Sequence, residues 1–278
     1  MILPLTLSTH DTQNFGVTKC NWQLFEGDLV DPDAAVRKIK SLGVEVVSLH
    51  SPFSAGWDAP LIENFCKDPL QSRILVTAEY IASALGKNLP IVFHTRLPYR
   101  DMYYVREIAC KLTKVLEYCP HLTLLLENCA FYHELECDLK EIPKQVPLIV
   151  KEFNRHMPLT RVYSCFDFCH ANIVNKVGEL LVNEGINTSG VPTVEDFCKE
   201  MGKDCRLVHL ANCRNYGVAK RDHGTGFGVE DKDLLTTYLN MCTEYLPNAQ
   251  IVLEISEADY TTRPEACKTL ETLSLINF

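Results

Sequence analysis

The chain has 278 residues, 46% of them hydrophobic and 23% charged, the composition of one well-filled globular domain or at most two small ones. Its 27 basic and 36 acidic side chains leave a formal charge of −9. That balance advertises no broad electrostatic grip on nucleic acid or an anionic membrane, although a bound metal cluster can invert the field around one cleft. No run of about 18 apolar residues occurs, so no membrane span is expected. The start, Met-Ile-Leu-Pro-Leu-Thr-Leu-Ser, lacks the basic region of a signal peptide. The 13 cysteines are odd in number and scattered singly, without a Cys-x-x-Cys pair. Free thiols in a reducing cytoplasm fit this pattern better than a disulfide framework or a cysteine-ligated zinc site.

In chain order, short apolar and β-branched runs alternate with segments of helical period. Strands are predicted at Pro4–Ser8, weakly at Trp22–Phe25, then at Val44–Leu49, Leu89–Phe93, Leu122–Leu126, Val162–Phe166, Arg206–Leu210 and Ile251–Leu253. The first helix has a clear frame. Asp31 caps it, Pro32 takes its first position, Val36, Ile39 and Leu42 share one face, and Gly43 stops it. Ser72–Leu85, Val105–Tyr118, Ile142–Arg155 and Leu234–Tyr245 read as helices too, and Val174–Val182 with Val194–Met201 as a helix split by 183–190. Strands that read as buried on both faces, each followed by a helix, imply parallel βαβ units. At this length the economical closure is an α/β fold with a single (β/α)8 TIM barrel, taken as one domain over 1–278. A doubly wound sheet would want a glycine-rich phosphate fingerprint after its first strand, and Ser-Thr-His-Asp-Thr-Gln-Asn is not one.

The strand ends carry the chemistry. Successive runs finish at His50, His94, Glu127, Asp167 with His170, His209 and Glu254. In a closed parallel barrel all these ends meet at one mouth. One histidine or glutamate after an apolar run is ordinarily a loop or cap residue; six in succession are a pattern. Three carboxylates crowded in an apolar mouth resist ionisation unless a cation neutralises them. Histidine with carboxylate and no paired cysteine points to a divalent ion, with zinc or manganese first and magnesium or cobalt behind them. Among the remaining histidines, His121, His133 and His156 read as structural or solvated, and His10 follows the first strand. The segment 220–228, Lys-Arg-Asp-His-Gly-Thr-Gly-Phe-Gly, offers Asp222 or His223 as a loop ligand, with glycines that let the backbone fold back tightly. Its bland reading is a glycine turn entering the last helix.

The order His50, His94, Glu127, Asp167-x-x-His170, His209, Asp222/His223, Glu254 resembles the xylose isomerase-like TIM-barrel superfamily, which holds sugar and sugar-phosphate isomerases and epimerases and the endonuclease IV nucleases. The resemblance implies a metal held by Glu127, Asp167, His209 and Glu254. It makes the two glutamates proton carriers and brings His170 to the substrate. His50, His94, His170 and the Asp222/His223 region match the additional ligands of the three-zinc nucleases, which implies one to three ions. The nuclease loop has Asp-x-His, whereas Asp222 and His223 are adjacent here.

Two reaction classes follow, with a metal-dependent lyase or dehydratase as a third. The first is isomerisation or epimerisation of a small sugar or sugar phosphate, with Glu127, Glu254 and His170 catalytic and Arg96, Arg214 and His223 on the substrate. The second is phosphodiester hydrolysis at an abasic site, the only case that calls for nucleic acid. The loops favour the first. Gly27–Asp31 is short and acidic, and Arg96, Arg100, Arg214, Lys220 and Arg221 are thin for a duplex. No membrane partner is expected, and the sequence leaves a homodimer open.

Overall fold

The computed structural model describes residues 6–9, 20–52, 69–95, 101–129, 139–157, 162–185, 190–216 and 221–276. Eight parallel strands close into a barrel. They are β1 (Thr6–Ser8), β2 (Asn21–Leu24), β3 (Val46–His50), β4 (Leu89–His94), β5 (Leu122–Glu127), β6 (Val162–Asp167), β7 (Cys205–His209) and, after a hairpin β8 (Asn212–Tyr216) and β9 (Arg221–Thr225), β10 (Gln250–Leu253). Their order around the sheet is β1-β10-β7-β6-β5-β4-β3-β2. Over the described residues, which leave out Pro4 and Leu5 of the first run, each predicted strand is found within two residues of its expected bounds, since buried β-branched runs have few other ways to hide both faces.

Helices lie between the strands: α1 (Glu26–Val30), α2 (Pro32–Leu42), α3 (Pro69–Leu85), α4 (Met102–Leu116), α5 (Gln145–His156), α6 (Phe168–Asn183), α7 (Val194–Met201), α8 (Lys232–Tyr245) and α9 (Pro264–Ser274). The frame of α2 is as read from sequence: the Asp31 carboxylate accepts from the Ala34 amide, and Gly43 closes the helix at φ +65°. Four elements depart from expectation. Helix α1 occupies most of the segment read as the loop Gly27–Asp31, and α9 follows the last strand, where no helix was expected. Helix α6 starts at Phe168, six residues before the predicted Val174, because its first turns are buried all round and show no amphipathic period. The antiparallel hairpin β8–β9 is built from polar residues that carry no strand signature. Among the described residues no helix is long and apolar enough to cross a membrane.

By internal packing the chain divides into two compact units. One comprises Pro4–Glu127 and Leu148–Tyr163; the other comprises Asn128–Pro147, Ser164–Phe278 and residues 1–3. The core of the first includes Trp22, Leu24 and Leu49 on strands with Ile74, Leu75, Ala78 and Ile81 of α3. That of the second includes Phe166, Phe168, Phe197, Phe227 and Leu235. There Phe168 stacks on Tyr238 with ring centroids 4.3 Å apart.

Candidate metal centre

In the first unit three strands end on three candidate ligands. His94 and Glu127 are direct partners in the β4–β5 ladder, while His50 pairs with Val92, two residues short of His94. Glu127 and His50 are wholly buried and His94 nearly so. Both imidazoles turn the same nitrogen to the same oxygen: Nε2 of His50 lies 3.2 Å, and Nε2 of His94 3.3 Å, from Oε2 of Glu127. The ring of Phe25 stands against that of His50, with centroids 4.9 Å apart.

The tautomer of His50 follows from its other nitrogen. Nδ1 is 2.7 Å from the carbonyl oxygen of Ser51, which can only accept, so Nδ1 carries the proton. A neutral His50 therefore presents its Nε2 lone pair to a buried carboxylate. Two electron-rich atoms at that separation in a dry interior repel unless a proton or a cation lies between them. The donor set thus fits a divalent ion, with histidine nitrogens and a carboxylate oxygen already facing one another.

The second unit carries the other candidate ligands. Asp167 ends β6 and caps α6, its Oδ1 accepting from the His170 amide at 2.6 Å. His170 is then held by its Nδ1, which donates to the carbonyl of Asn128 at 2.7 Å, leaving Nε2 as a lone pair. His223, brought in by β9, places its Nε2 2.8 Å from that atom. Asp167, His170 and His223 each offer one ligand atom, all within 4.8 Å of one another. His209 is the direct ladder partner of Asp167. Its Nδ1 lies 2.7 Å from Oε2 of Glu254, which directly follows β10, and 3.8 Å from the Cys165 sulfur.

Sequence reasoning passed over Asn128. Its amide accepts from the Asp167 N–H at 2.8 Å and donates to the Asp167 carbonyl at 3.0 Å, while its own carbonyl orients His170. The signal available was an amide directly after a strand-terminal glutamate, a place where a buried Asn needs a defined partner.

The remaining candidates are placed as follows. Arg214, on β8, gives its guanidinium to Glu230 at 3.0 Å and Asp231 at 2.7 Å, at the entrance to α8. Asp222 lies in β9, but its side chain, like that of Arg221, falls outside the described residues; so do Arg96, Arg100, Lys220, His10 and His133 entirely. His121 pairs with Glu79 at 2.6 Å and His156 with Glu152 at 3.0 Å. Both are the structural histidines expected. Cys129, Cys165, Cys169 and Cys213 are buried. A hydrogen bond with Cys213, together with burial, holds the Cys169 thiol well above its ordinary range, which suits packing and not nucleophilic attack.

No family model and no curated protein matches the chain. Solved structures do. A D-tagatose 3-epimerase-like protein matches at 17% identity and TM-score 0.59, covering 99% of this chain and 98% of its own. A Thermus thermophilus protein studied after soaking with ZnCl2 matches at 21% identity and TM-score 0.54, covering 99% and 97%. Endonuclease IV of the same organism matches at 17% identity and TM-score 0.55, covering 98% of each chain. At these identities the likeness speaks to fold, and it extends over the whole barrel: the chain shares the (β/α)8 barrel fold of these proteins.

Proposed function

We propose that the chain is a divalent-metal-dependent hydrolase of a phosphate ester, with an abasic-site phosphodiester as the substrate to test first. The observation that carries this reading is the supply of ligands. His50, His94 and Glu127 form one buried group in the first unit. Asp167, His170 and His223 form another in the second, beside the pair His209–Glu254. One zinc or manganese ion takes about four to six ligands. A single such ion has no use for two groups of donors, one on each unit, and paired or triple ions are the usual equipment for displacement at phosphorus.

When bound, such ions supply Lewis acidity, neutralise the phosphate and lower the pKa of water. The chain's own residues do the rest. The Ser51 and Asn128 carbonyls fix the tautomers of His50 and His170, so each keeps an Nε2 lone pair available. Glu127 and Glu254 are the carboxylates placed to hold and release a proton. His223, half-buried on its hairpin strand, has solvent access, as Glu254 does, and is assigned to the substrate side.

A second reading keeps one ion on Glu127, Asp167, His209 and Glu254 and uses the two glutamates to move a proton next to the carbonyl of a sugar or sugar phosphate. What favours it is the shortage of cations for a duplex. The net charge is −9, and Arg214 is already engaged by two carboxylates. Elemental analysis of protein purified without chelator separates the two. Two to three ions per chain, falling in His50→Ala/His94→Ala protein, with cleavage of an abasic-site duplex, support the hydrolase. About one ion, indifferent to those changes, with solvent-hydrogen exchange into a sugar phosphate, supports the isomerase or epimerase. Metal-free protein active on neither substrate would overturn both.

A further inference from the structure

The glycine-rich segment after His223 is laid down as a close-packed track. Ser256, two residues past Glu254, donates its amide to the Gly224 carbonyl at 2.7 Å. Next along the chain, Gly226 lies so near α9 that a Cβ there would stand 2.5 Å from the backbone oxygen of Glu265. A helix backbone atom cannot swing aside as a side chain can, so any larger residue at 226 must lift the segment off α9. The following residue is fixed from both sides. The Phe227 amide donates to Thr269 Oγ1 at 2.9 Å, and Thr272 Oγ1 donates to the Phe227 carbonyl at 3.0 Å. Thr269, Thr272 and the Phe227 side chain are fully buried.

We infer that α9 is a buttress for the metal centre: Gly226 and Thr269 are positioning residues that seat His223 against His170. This rests on the reading of His223 as a ligand. Two residues, Gly224 and Thr225, separate His223 from the fixed contact at Gly226, and the Ser256 bond holds the first of them. A shift of the segment on α9 therefore passes to the imidazole, with no loose loop to absorb it. Groups that orient a ligand without touching the ion are expected to matter to affinity by about tenfold or more.

The test uses the full chain loaded with zinc and titrated against a chromophoric chelator, with ion content per chain measured in parallel. His223→Ala sets the scale by removing the ligand. Gly43→Ala is the control for a strained glycine, since it sits at φ +65° with no atom within 4 Å of a new Cβ. Expected is that Gly226→Ala loses the same ion as His223→Ala, or holds it about tenfold more weakly, while Gly43→Ala keeps it. If Gly226→Ala does not fold, Thr269→Val carries the measurement, with recovery in Thr269→Ser. Should His223→Ala leave ion content and affinity unchanged, the ligand reading of His223 fails. Should His223→Ala lose the ion while Gly226→Ala and Thr269→Val retain it at full affinity, the buttress itself is refuted.

Discussion

The residue that tests the proposed centre most directly is Glu127, whose Oε2 faces two imidazole nitrogens. Exchanging it for glutamine keeps the shape and removes the charge, and replaces one oxygen by an N–H2 that repels a cation. Glu127→Gln is therefore expected to lose bound ion while its circular dichroism stays that of the parent. Full ion content in that variant would remove Glu127 from the ligand set. A different carboxylate governs acid behaviour. Glu152 of α5 is held below its ordinary range, first by His156, then by Arg155 and Arg106. A depressed carboxylate contributes stability above its unfolded pKa and gives it up as pH falls through the lower folded value. The thermal midpoint of the parent should fall faster below about pH 4.5, the ordinary glutamate range, than that of Glu152→Gln. Parallel curves would mean that the network of exposed partners around Glu152 contributes nothing.

At the scale of elements, the helices and strands differ in how openly they announce themselves. Helix α2 has its cap, its proline and its glycine stop in the right places, but its buried face is Ala35, Val36 and Ile39, while Leu42 of the expected face is exposed. Placing alanine at Gly43 asks an L side chain for a left-handed backbone at no steric contact, so its cost is the conformational one, about 1 kcal/mol. Urea titration measures it. Helix α6 was legible only in its second half, because residues 168–174 are buried all round and a helix buried on every face has no period to read. The β8–β9 hairpin was not legible at all. Its strands Asn-Cys-Arg-Asn-Tyr and Arg-Asp-His-Gly-Thr have no apolar alternation, and what fixes β8 is partly tertiary. Asn172 donates to the Tyr216 hydroxyl at 2.8 Å, that hydroxyl donates to the Cys213 carbonyl at 2.6 Å, and Arg214 ties to Glu230 and Asp231.

For the whole molecule, ions and stability should be linked. An ion that binds the folded chain and not the unfolded one raises stability by about 2.7 kcal/mol at a hundred times its dissociation constant. Removal with a chelator should lower the thermal midpoint, and zinc or manganese should restore it, with magnesium weaker on a histidine-rich set. An unchanged midpoint after verified ion removal would place the ion outside the folded core.

Composition, alternation and strand endings were enough to read the barrel and to name His50, His94, Glu127, Asp167, His170, His209 and Glu254 as candidates at its strand ends, because side chains at the ends of parallel strands are ordered by the backbone itself. The choice of chemistry lay beyond that reading. The loops, taken one by one, favoured a small sugar. The geometry adds what spacing cannot carry: His50 and His94 present the same nitrogen to one oxygen of Glu127, His223 reaches His170 across 53 residues, and Arg214 spends its charge on Glu230 and Asp231. Asn128 and the packing of Gly226 on α9 were likewise invisible, since a hydrogen-bond partner and a backbone contact are chosen by neighbours in space. Local pattern determines which side chains are delivered to a strand end; only tertiary structure decides which atoms of them face one another, and the electrostatics of the centre depend on that.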